Sequence, residues 1–400
     1  MSTLDLEDLQ TWIHQQRPDM VGDLTAYVSQ ETPSDDKPLL QSGLAWVESW
    51  VQTRIGAPAA RRRVDGGEWG DTLVLDYPSE SGAEGWITAL CHYDTVWSAG
   101  TLQNWQPTVD GDRFSGPGAF DMKGGLVQLV WAVKAAQELG LPRPNLRVVL
   151  NGDEEVGSPA SRPVIEAEAL RGDAVLVFEA SAGGALKTAR KGVGIFQVHV
   201  TGQEAHAGLD PEVGASAIDE IARVILELHG KTDVALGTTV NVGLVRGGTR
   251  TNVKAGSATA EIDVRVSSET EVRRINETLA SLSVRNTNAT LRVSGDWNRP
   301  VMTRSEQTAR LFAKAEQVAE RLGFALAETS VGGASDGNFA AALGLPVLDG
   351  LGAVGDGAHA RNEWISIAGM LERTCLAAGL LASLAQSPQH SRLNVATASS

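Results

Sequence analysis

A chain of 400 residues with 42% apolar residues is long enough to bury one large hydrophobic core and a second, smaller one. Its formal net charge of −15 argues against binding to nucleic acids and to anionic membrane surfaces. The two cysteines, Cys91 and Cys375, lie in apolar segments, as expected of buried thiols in a reducing, cytoplasmic compartment. The acidic segment 1–20 is not expected to be a signal peptide. No stretch approaches the roughly 20 apolar residues of a membrane span.

Residues 1–189 alternate between helical and strand patterns. Apolar spacing predicts helices over 4–13, 39–54 and 123–139, and apolar runs predict strands over 73–77, 86–92, 146–150 and 174–178. Strands that are largely apolar are typical of a parallel sheet covered by helices on both faces. The same alternation resumes at residue 305, with a late strand over 345–348 and a closing helix over 365–384.

Residues 190–302 follow a different pattern. Strands are predicted over 193–201, 238–245, 257–266 and 290–294, and helices over 211–229 and 269–282. Asp210 and Pro211 are expected to cap and begin the first of these helices. The order β-α-β-β-α-β predicts a ferredoxin-like unit. The predicted fold is therefore an α/β domain over 1–189 and 303–400, interrupted by an inserted ferredoxin-like α+β domain over 190–302.

Acidic and histidine side chains follow several predicted strands, and they are His92, Asp94, Asp121, Glu154, Glu155, Glu179 and His359. Ligand sites of open α/β sheets lie beyond the carboxyl ends of the strands, so these side chains are expected to converge. Each one alone has a simpler explanation as a packed histidine, a helix cap or a solvated glutamate. Five separate turns that each carry such a side chain would rarely arise by chance.

Nitrogen and oxygen donors without thiolates suit zinc in a hydrolytic site, with cobalt and manganese as alternatives. Two ions about 3.5–4 Å apart can share one bridging carboxylate. The set offers one aspartate to bridge, two glutamates and two histidines as terminal ligands, and one glutamate as a base. We therefore predict two divalent metal ions. Asp94 lies two residues after His92, on the same strand face, and is expected to reach and orient the imidazole.

Four motifs resemble those of the dizinc peptidase and aminoacylase family, and they begin at His92 (His-Tyr-Asp-Thr-Val), Gly118 (Gly-Ala-Phe-Asp-Met-Lys-Gly-Gly), Asp153 (Asp-Glu-Glu-Val-Gly-Ser) and Gly202 (Gly-Gln-Glu-Ala-His-Ala-Gly). The family includes glutamate carboxypeptidases of the G type, acetylornithine deacetylase, succinyl-diaminopimelate desuccinylase and several dipeptidases. The resemblance extends over about residues 85–370. It implies a zinc-bearing catalytic domain interrupted by a lid or dimerisation domain, and hence a homodimer.

The resemblance also implies a role for each side chain. Asp121 would bridge the metals, and the terminal ligands would be His92 and Glu179 at one site and Glu155 and His359 at the other. Glu154 would be the general base that deprotonates the bridging water, and the resulting hydroxide would attack an amide carbonyl. The peptide bond after Asp121 is often cis in this family.

Two residues of the inserted domain match further positions of the family. His206 resembles the histidine that stabilises the oxyanion in the partner subunit's site, although the sequence alone favours an exposed loop residue. Asn252 matches an asparagine that binds substrate near the scissile bond.

Three basic residues, Lys187, Arg265 and Arg299, are candidates to hold the carboxylates of an acidic substrate. Arg265 could instead pair with Asp263, and Lys187 could be a solvated loop residue. Ser335 stands where the family usually has threonine.

The predicted function is metal-dependent release of a C-terminal glutamate, or another acidic residue, from a small peptidyl or N-acyl substrate. The alternatives are an N-acyl amino acid deacylase or dipeptidase with the same mechanism, and a non-catalytic dimeric homologue. A two-metal phosphate-ester hydrolase is disfavoured, because no phosphate-binding loop accompanies the ligands.

Overall fold

The computed structural model describes residues 6–80, 82–83, 85–210 and 212–385. This part of the chain forms the helices α1 (Leu6–Gln15), α2 (Arg17–Val28), α3 (Lys37–Ile55), α4 (Gly124–Glu138), α5 (Arg162–Ala169), α6 (Ala217–His229), α7 (Glu269–Ser281), α8 (Glu306–Leu322), α9 (Gly337–Ala342) and α10 (Ile367–Ala385). Its strands are β1 (Ala60–Val64), β2 (Thr72–Tyr77), β3 (Trp86–His92), β4 (Thr108–Asp110), β5 (Arg113–Ser115), β6 (Asn145–Asn151), β7 (Ala174–Val177), β8 (Leu186–Arg190), β9 (Gly192–Thr201), β10 (Thr239–Gly247), β11 (Ser257–Val266), β12 (Thr290–Arg299), β13 (Glu328–Val331), β14 (Val347–Leu348), β15 (Gly355–Asp356) and β16 (Trp364–Ser366).

The chain divides into two compact units. The large unit comprises the chain up to Thr188, Arg304–Val331 and the chain from Ser335 onwards. The inserted unit comprises Ala189–Thr303 and Gly332–Ala334. Each unit has its own hydrophobic core.

The large unit is built around a six-stranded mixed sheet with the strand order β1-β2-β6-β3-β7-β14. β3 pairs in parallel with both β6 and β7, and β14 pairs in parallel with β7. The β1–β2 and β2–β6 pairs are antiparallel. The carboxyl ends of β3, β6 and β7 therefore meet at one edge of the sheet.

Strand β3 shows how the sheet is covered on both faces. Successive side chains of a strand point to opposite faces. Ile87, Ala89 and Cys91 join the main hydrophobic core, to which α4 and α10 also contribute. The Thr88 hydroxyl donates to the backbone carbonyl of Glu168 in α5, at 3.2 Å. Helices thus lie against both faces, as the apolar strands predict.

Helix α10 is the one helix among the described residues that is long and apolar enough to cross a membrane, with 19 residues and a mean hydropathy of 1.4. The sequence predicts no stretch of this kind. However, 78% of its most apolar window is buried inside the protein, and the helix packs against α4 and α8. It is the core helix of the large unit.

Two small sheets of the large unit, β13-β8 and β15-β16-β5-β4, were not predicted from the sequence. Their strands are two to five residues long, too short to show an apolar period. The second sheet pairs Trp364 with Ser115 and Ile365 with Phe114. It thereby holds two distant loops of the large unit side by side.

The inserted unit has the order β9-α6-β10-β11-α7-β12, and its sheet order β10-β11-β9-β12 is antiparallel throughout. This is the predicted ferredoxin-like arrangement. The prediction for the start of α6 was wrong, because the helix begins at Ala217, where the Ser216 hydroxyl accepts the Asp219 N–H at 3.3 Å. Asp210 is outside the helix, and Pro211 lies outside the described residues, as does the tail after Pro388. β12 continues to Arg299, five residues beyond its predicted end.

The predicted fold class is confirmed: a mixed α/β unit with helices on both faces of its sheet, and a ferredoxin-like α+β unit inserted into it.

Candidate metal centre

The ends of the parallel strands deliver acidic and histidine side chains to one place. His92 is the last residue of β3, and Glu179 follows the end of β7 by two residues. Glu154 and Glu155 lie in a short 3-10 turn after β6, and Asp121 lies in the irregular turn before α4. The peptide bond between Asp121 and Met122 is cis, as the family resemblance implies.

Asp121 lies between two pairs of side chains. Its Oδ1 atom is 3.2 Å from His92 Nε2, and the same nitrogen is 3.4 Å from Glu179 Oε1. Its Oδ2 atom is 3.3 Å from His359 Nε2, which is 3.0 Å from Glu155 Oε2. Each oxygen of one carboxylate therefore faces its own histidine and glutamate.

These spacings fit a metal centre. Zinc bonds of about 2.0–2.1 Å place tetrahedral ligand atoms about 3.3–3.4 Å apart. The four contacts around Asp121 range from 3.0 to 3.4 Å. The Glu155 Oε1 atom is buried and has no hydrogen-bond partner within the described part of the chain. A buried carboxylate oxygen of this kind needs a partner, and a cation would provide one.

The charges of the cluster also favour a cation. Hydrogen bonds that the His359 imidazole donates to Asp121 and Glu155 raise the pKa of His359 to about 10. Burial lowers the pKa of His92, but its contacts with Asp121, Asp94 and Glu179 outweigh burial and raise it well above its ordinary value. Burial also raises the pKa of the Glu155 carboxyl to about 7. All three shifts arise where acidic groups outnumber positive ones, and divalent ions would supply the missing charge.

His359 adopts a left-handed backbone conformation, which residues other than glycine rarely adopt. Its φ is +61°, and Gly357, two residues earlier, has a φ of +87°. Such strain costs on the order of 1–3 kcal/mol and concentrates at functional sites. The conformation keeps the imidazole beside Asp121 and Glu155 although half of the side chain is exposed.

Glu154 lies beside the cluster and is not one of the closest contacts. A carboxylate oxygen of Glu154 lies within 4.8 Å of donor atoms of both His92 and Glu179. That grouping would also allow Glu154 to be a ligand. The shorter contacts of 3.0–3.4 Å around Asp121 are made by other residues. Glu154 therefore lies beside the cluster, outside these four contacts.

Asp94 was expected to orient the His92 imidazole through its carboxylate, and the structure shows a closer contact through its backbone. The closest contact of His92 Nδ1 is the backbone carbonyl of Asp94, at 3.0 Å, and the carboxylate is 3.4 Å away. The carboxylate instead accepts the N–H groups of Glu154 and Glu155, each at 3.2 Å, and the Ser34 hydroxyl at 2.8 Å. Asp94 thus holds both His92 and the turn that carries the two glutamates.

Glu363 is a buried carboxylate that the sequence patterns do not predict. Its side chain is fully buried, and its carboxylate accepts the backbone N–H groups of Gly118, Phe120 and Asp121 at 2.8–3.0 Å. It also accepts the indole N–H of Trp97 at 3.0 Å. The one signal in the sequence is an acidic residue directly before the apolar pair Trp364-Ile365, four residues after His359.

Two predicted residues lie together in the inserted unit. His206 is exposed, and its Nδ1 atom accepts the N–H groups of Gly208 and Leu209 at 3.2 and 3.1 Å. The Ala207 N–H donates to the Asn252 carbonyl at 3.0 Å. The loop of His206 and the loop of Asn252 are therefore joined through their backbones, and the His206 side chain faces solvent within this unit.

The three basic candidates have different surroundings. Arg265 forms a forked ion pair with Asp263 at 3.0–3.2 Å, the alternative raised from the sequence. Arg299 ends β12, is only 3% exposed and donates to the Asn298 side chain at 3.0 Å. Lys187 is half-buried on β8, in the large unit. The charge of Arg265 is thus largely neutralised by its neighbour.

Two known proteins are similar to this chain in sequence. Carboxypeptidase G2 of Pseudomonas sp. is 29% identical over 376 residues, which cover 92% of this chain and 90% of that protein. Acetylornithine deacetylase of Myxococcus xanthus is 28% identical over 281 residues, covering 66% of this chain and 71% of that protein.

A solved structure shares the fold. The YXEP protein of Bacillus subtilis, described as a dinuclear metal-binding peptidase of the M20 family, aligns with a TM-score of 0.68. The alignment covers 94% of this chain and all of that one, with 13% identity. At this level of identity the likeness establishes the common fold.

The profile of peptidase family M20/M25/M40 matches residues 90–383, a span that includes every side chain of the cluster around Asp121. The chain therefore belongs to peptidase family M20/M25/M40 and is a metal-dependent peptidase or amidohydrolase.

Proposed function

We propose that the cluster around Asp121 binds two divalent metal ions, zinc first, with cobalt or manganese as alternatives. Asp121 would bridge the ions, His92 and Glu179 would complete one site, and Glu155 and His359 would complete the other. The observation that supports this most directly is the pair of contacts on either side of Asp121, where each carboxylate oxygen faces one histidine at 3.2–3.3 Å.

Amide hydrolysis follows from these side chains. Two bound ions supply Lewis-acid chemistry, because they acidify water and polarise the amide carbonyl. Glu154 accepts the proton of the attacking water and then donates it to the leaving amine. Asp94 keeps Glu154 in place through the hydrogen bond between its carboxylate and the Glu154 N–H, at 3.2 Å.

For the substrate, we propose a small peptide or N-acyl amino acid with an acidic C-terminal residue, glutamate first. The similarity to carboxypeptidase G2 over 92% of the chain supports carboxypeptidase activity. Arg299 supports the acidic preference, because a buried guanidinium matches a carboxylate in shape and charge. The similarity to an acetylornithine deacetylase supports the second candidate, an N-acyl amino acid deacylase.

A matched substrate panel tests this proposal. The purified protein is incubated with Zn²⁺, Co²⁺ or Mn²⁺ and with pairs of N-acyl and N-peptidyl amino acids that differ only in the C-terminal residue: glutamate, aspartate, glutamine, leucine or ornithine. The released amino acid is identified by mass spectrometry. Faster release of glutamate than of glutamine supports the proposal. Equal rates for the two would remove the acidic preference, and preference for short acyl groups whatever the amino acid would identify a deacylase.

Replacing Arg299 should lower the preference for acidic substrates. The Arg299→Gln variant removes a charge-assisted contact, which contributes about 1.5–3 kcal/mol, so kcat/KM for glutamyl substrates should fall roughly 10- to 150-fold. The rate for glutaminyl substrates should change much less. Arg292→Gln, an exposed residue on the same strand, is the matched control. Equal losses for both substrates would mean that Arg299 supports the fold and not the specificity.

We also propose that the chain forms a homodimer through the inserted unit. Edge strand β10 and helix α6 expose large apolar side chains, namely Ile218, Leu226, Leu244 and Val245, which are 44–75% exposed. An exposed strand edge beside an apolar helix face is a surface that pairing across a two-fold axis would cover.

His206 is proposed to stabilise the oxyanion in the partner's site. The His206→Ala variant should therefore lose roughly 100- to 1000-fold in turnover, as expected for one lost oxyanion donor. Mixed dimers of His206→Ala chains with Glu154→Gln chains should regain activity, because one of the two sites is then complete. His229→Ala, another histidine of the inserted unit, serves as the control. Mixed dimers without recovery would contradict action across the interface.

A cytoplasmic location is also proposed. Both cysteines, Cys91 and Cys375, are buried and unpaired. A chain that uses no disulfide among its described residues suits a reducing compartment.

A further inference from the structure

The Glu363 carboxylate accepts four hydrogen bonds. Its Oε1 atom accepts the N–H groups of Phe120 at 2.8 Å and Asp121 at 3.0 Å. Its Oε2 atom accepts the Gly118 N–H and the Trp97 indole N–H, both at 3.0 Å. Two carboxylate oxygens offer about four acceptor positions, so this carboxylate is fully used.

The partners of Glu363 belong to the turn that carries Asp121. Gly118, with a φ of +73°, begins that turn, and a side chain there would meet the Thr95 methyl group at 2.7 Å. The Lys123 N–H donates back to the Gly118 carbonyl at 2.9 Å, which closes the turn. Glu363 thus fixes three of the backbone groups that decide where the Asp121 carboxylate lies.

Glu363 also belongs to the segment that carries His359. The two residues are four positions apart, and the Glu363 N–H donates to the Ala360 carbonyl at 2.9 Å. The Glu363 backbone carbonyl accepts the Ser115 hydroxyl at 2.6 Å, just before β16 pairs with β5. One residue therefore joins the His359 segment to the Asp121 turn, and the two side chains meet at 3.3 Å.

We propose that Glu363 is a positioning residue of the metal centre, which sets the spacing between Asp121 and His359. It is fully buried and acts through the backbone of the Asp121 turn. The inference rests on the proposed function, because Asp121 and His359 are proposed ligands of the same ion. Groups that orient metal ligands in this way typically change metal affinity 10- to 100-fold when they are replaced.

The Glu363→Gln variant tests this role. Glutamine keeps the shape of the side chain but has one acceptor oxygen, and its amide group would face two N–H donors. We expect metal affinity, measured by competition with a chelator, to fall about 10- to 100-fold at the weaker site. In the metal-free protein, backbone amides of the segment 116–123 should exchange hydrogen about tenfold faster, while those of α10 are unchanged.

A Glu→Gln control separates positioning from general stability. Glu372 lies on α10 with 42% of its side chain exposed, and Glu372→Gln should leave both metal affinity and local exchange unchanged. A purely structural role for Glu363 would speed exchange throughout the large unit and spare the metal affinity of the folded protein. A folded Glu363→Gln variant with wild-type metal affinity and wild-type exchange in 116–123 would overturn the inference.

If the Glu363→Gln variant fails to fold, the Trp97→Phe variant can be used for the same test. This variant removes one of the four donors and leaves the three backbone contacts in place. Metal affinity should fall about 2- to 10-fold, as expected for one hydrogen bond, and unchanged affinity and exchange would overturn the inference. A wild-type protein that binds no divalent metal would overturn the proposed function instead. The exchange measurement would then still decide whether Glu363 holds the Asp121 turn.

Discussion

Removal of metal is expected to abolish hydrolysis, and added Zn²⁺, Co²⁺ or Mn²⁺ is expected to restore it. The cluster brings together the carboxylates of Asp121, Glu155 and Glu179 with two histidines. Without ions, only the two imidazoles can balance the negative charge of the three acidic groups. The raised pKa of His359 reflects its contacts with two of them. No other side chain of the cluster can take over the Lewis-acid part of the reaction.

The same experiment should change the stability of the protein. An ion that binds only the folded state stabilises it by about 2.7 kcal/mol when its concentration is 100 times the dissociation constant. The measurement combines metal content by mass spectrometry, turnover and thermal unfolding before and after exhaustive chelation. Chelator already saturated with zinc is the control for effects of the chelator itself. Full turnover with less than one ion per chain would contradict the two-metal proposal.

The strands that carry the site could be predicted closely because they are buried on both faces. β3 occupies the predicted range Trp86–His92, and β6 extends the predicted range by one residue at each end. Most residues of the two predicted ranges are apolar, so the run itself marks the bounds. The side chains at their carboxyl ends then converge because parallel strands end at the same edge.

The start of α6 could not be predicted in the same way. Asp210 and Pro211 have the residue types of a helix start, and so does Ser216 six residues later. Backbone contacts decide between them: the Ala217 N–H donates to the Ala255 carbonyl at 2.8 Å. Tertiary contacts of this kind override a local capping signal.

The backbone contacts of Asp94 and Glu363 could not be predicted from the sequence for a related reason. Both carboxylates accept backbone N–H groups, and a backbone N–H has no residue type that a sequence pattern could reveal. The partners of Glu363 are more than 240 positions away along the chain. The predicted set therefore contained Asp94 and the side chains that face the centre, but neither Glu363 nor the backbone contacts that the Asp94 carboxylate makes.

Replacement of Glu154 by glutamine is expected to lower turnover about 100- to 10,000-fold, the range that a general base contributes. Glutamine keeps the size and hydrogen-bonding shape of the side chain, but its amide does not accept the proton of the attacking water. The four contacts around Asp121 do not involve Glu154, so metal content should stay at the wild-type value. KM should change little, because the substitution removes a proton acceptor and no charge that contacts the substrate carboxylate.

Glu155→Ala should behave in the opposite way and thereby separate base from ligand. The Glu155 Oε2 atom is 3.0 Å from His359 Nε2, and its Oε1 atom is buried without a hydrogen-bond partner in the described chain. Its loss should remove one ion, and excess metal should recover part of the turnover. Glu166→Gln, on the outer helix α5, is the control for a Glu→Gln change outside the site. Metal analysis and kinetics on all three variants decide which glutamate is the base and which is the ligand. If the Glu154→Gln protein lost an ion and the Glu155→Ala protein kept both, Glu154 would be the ligand and Glu155 the base.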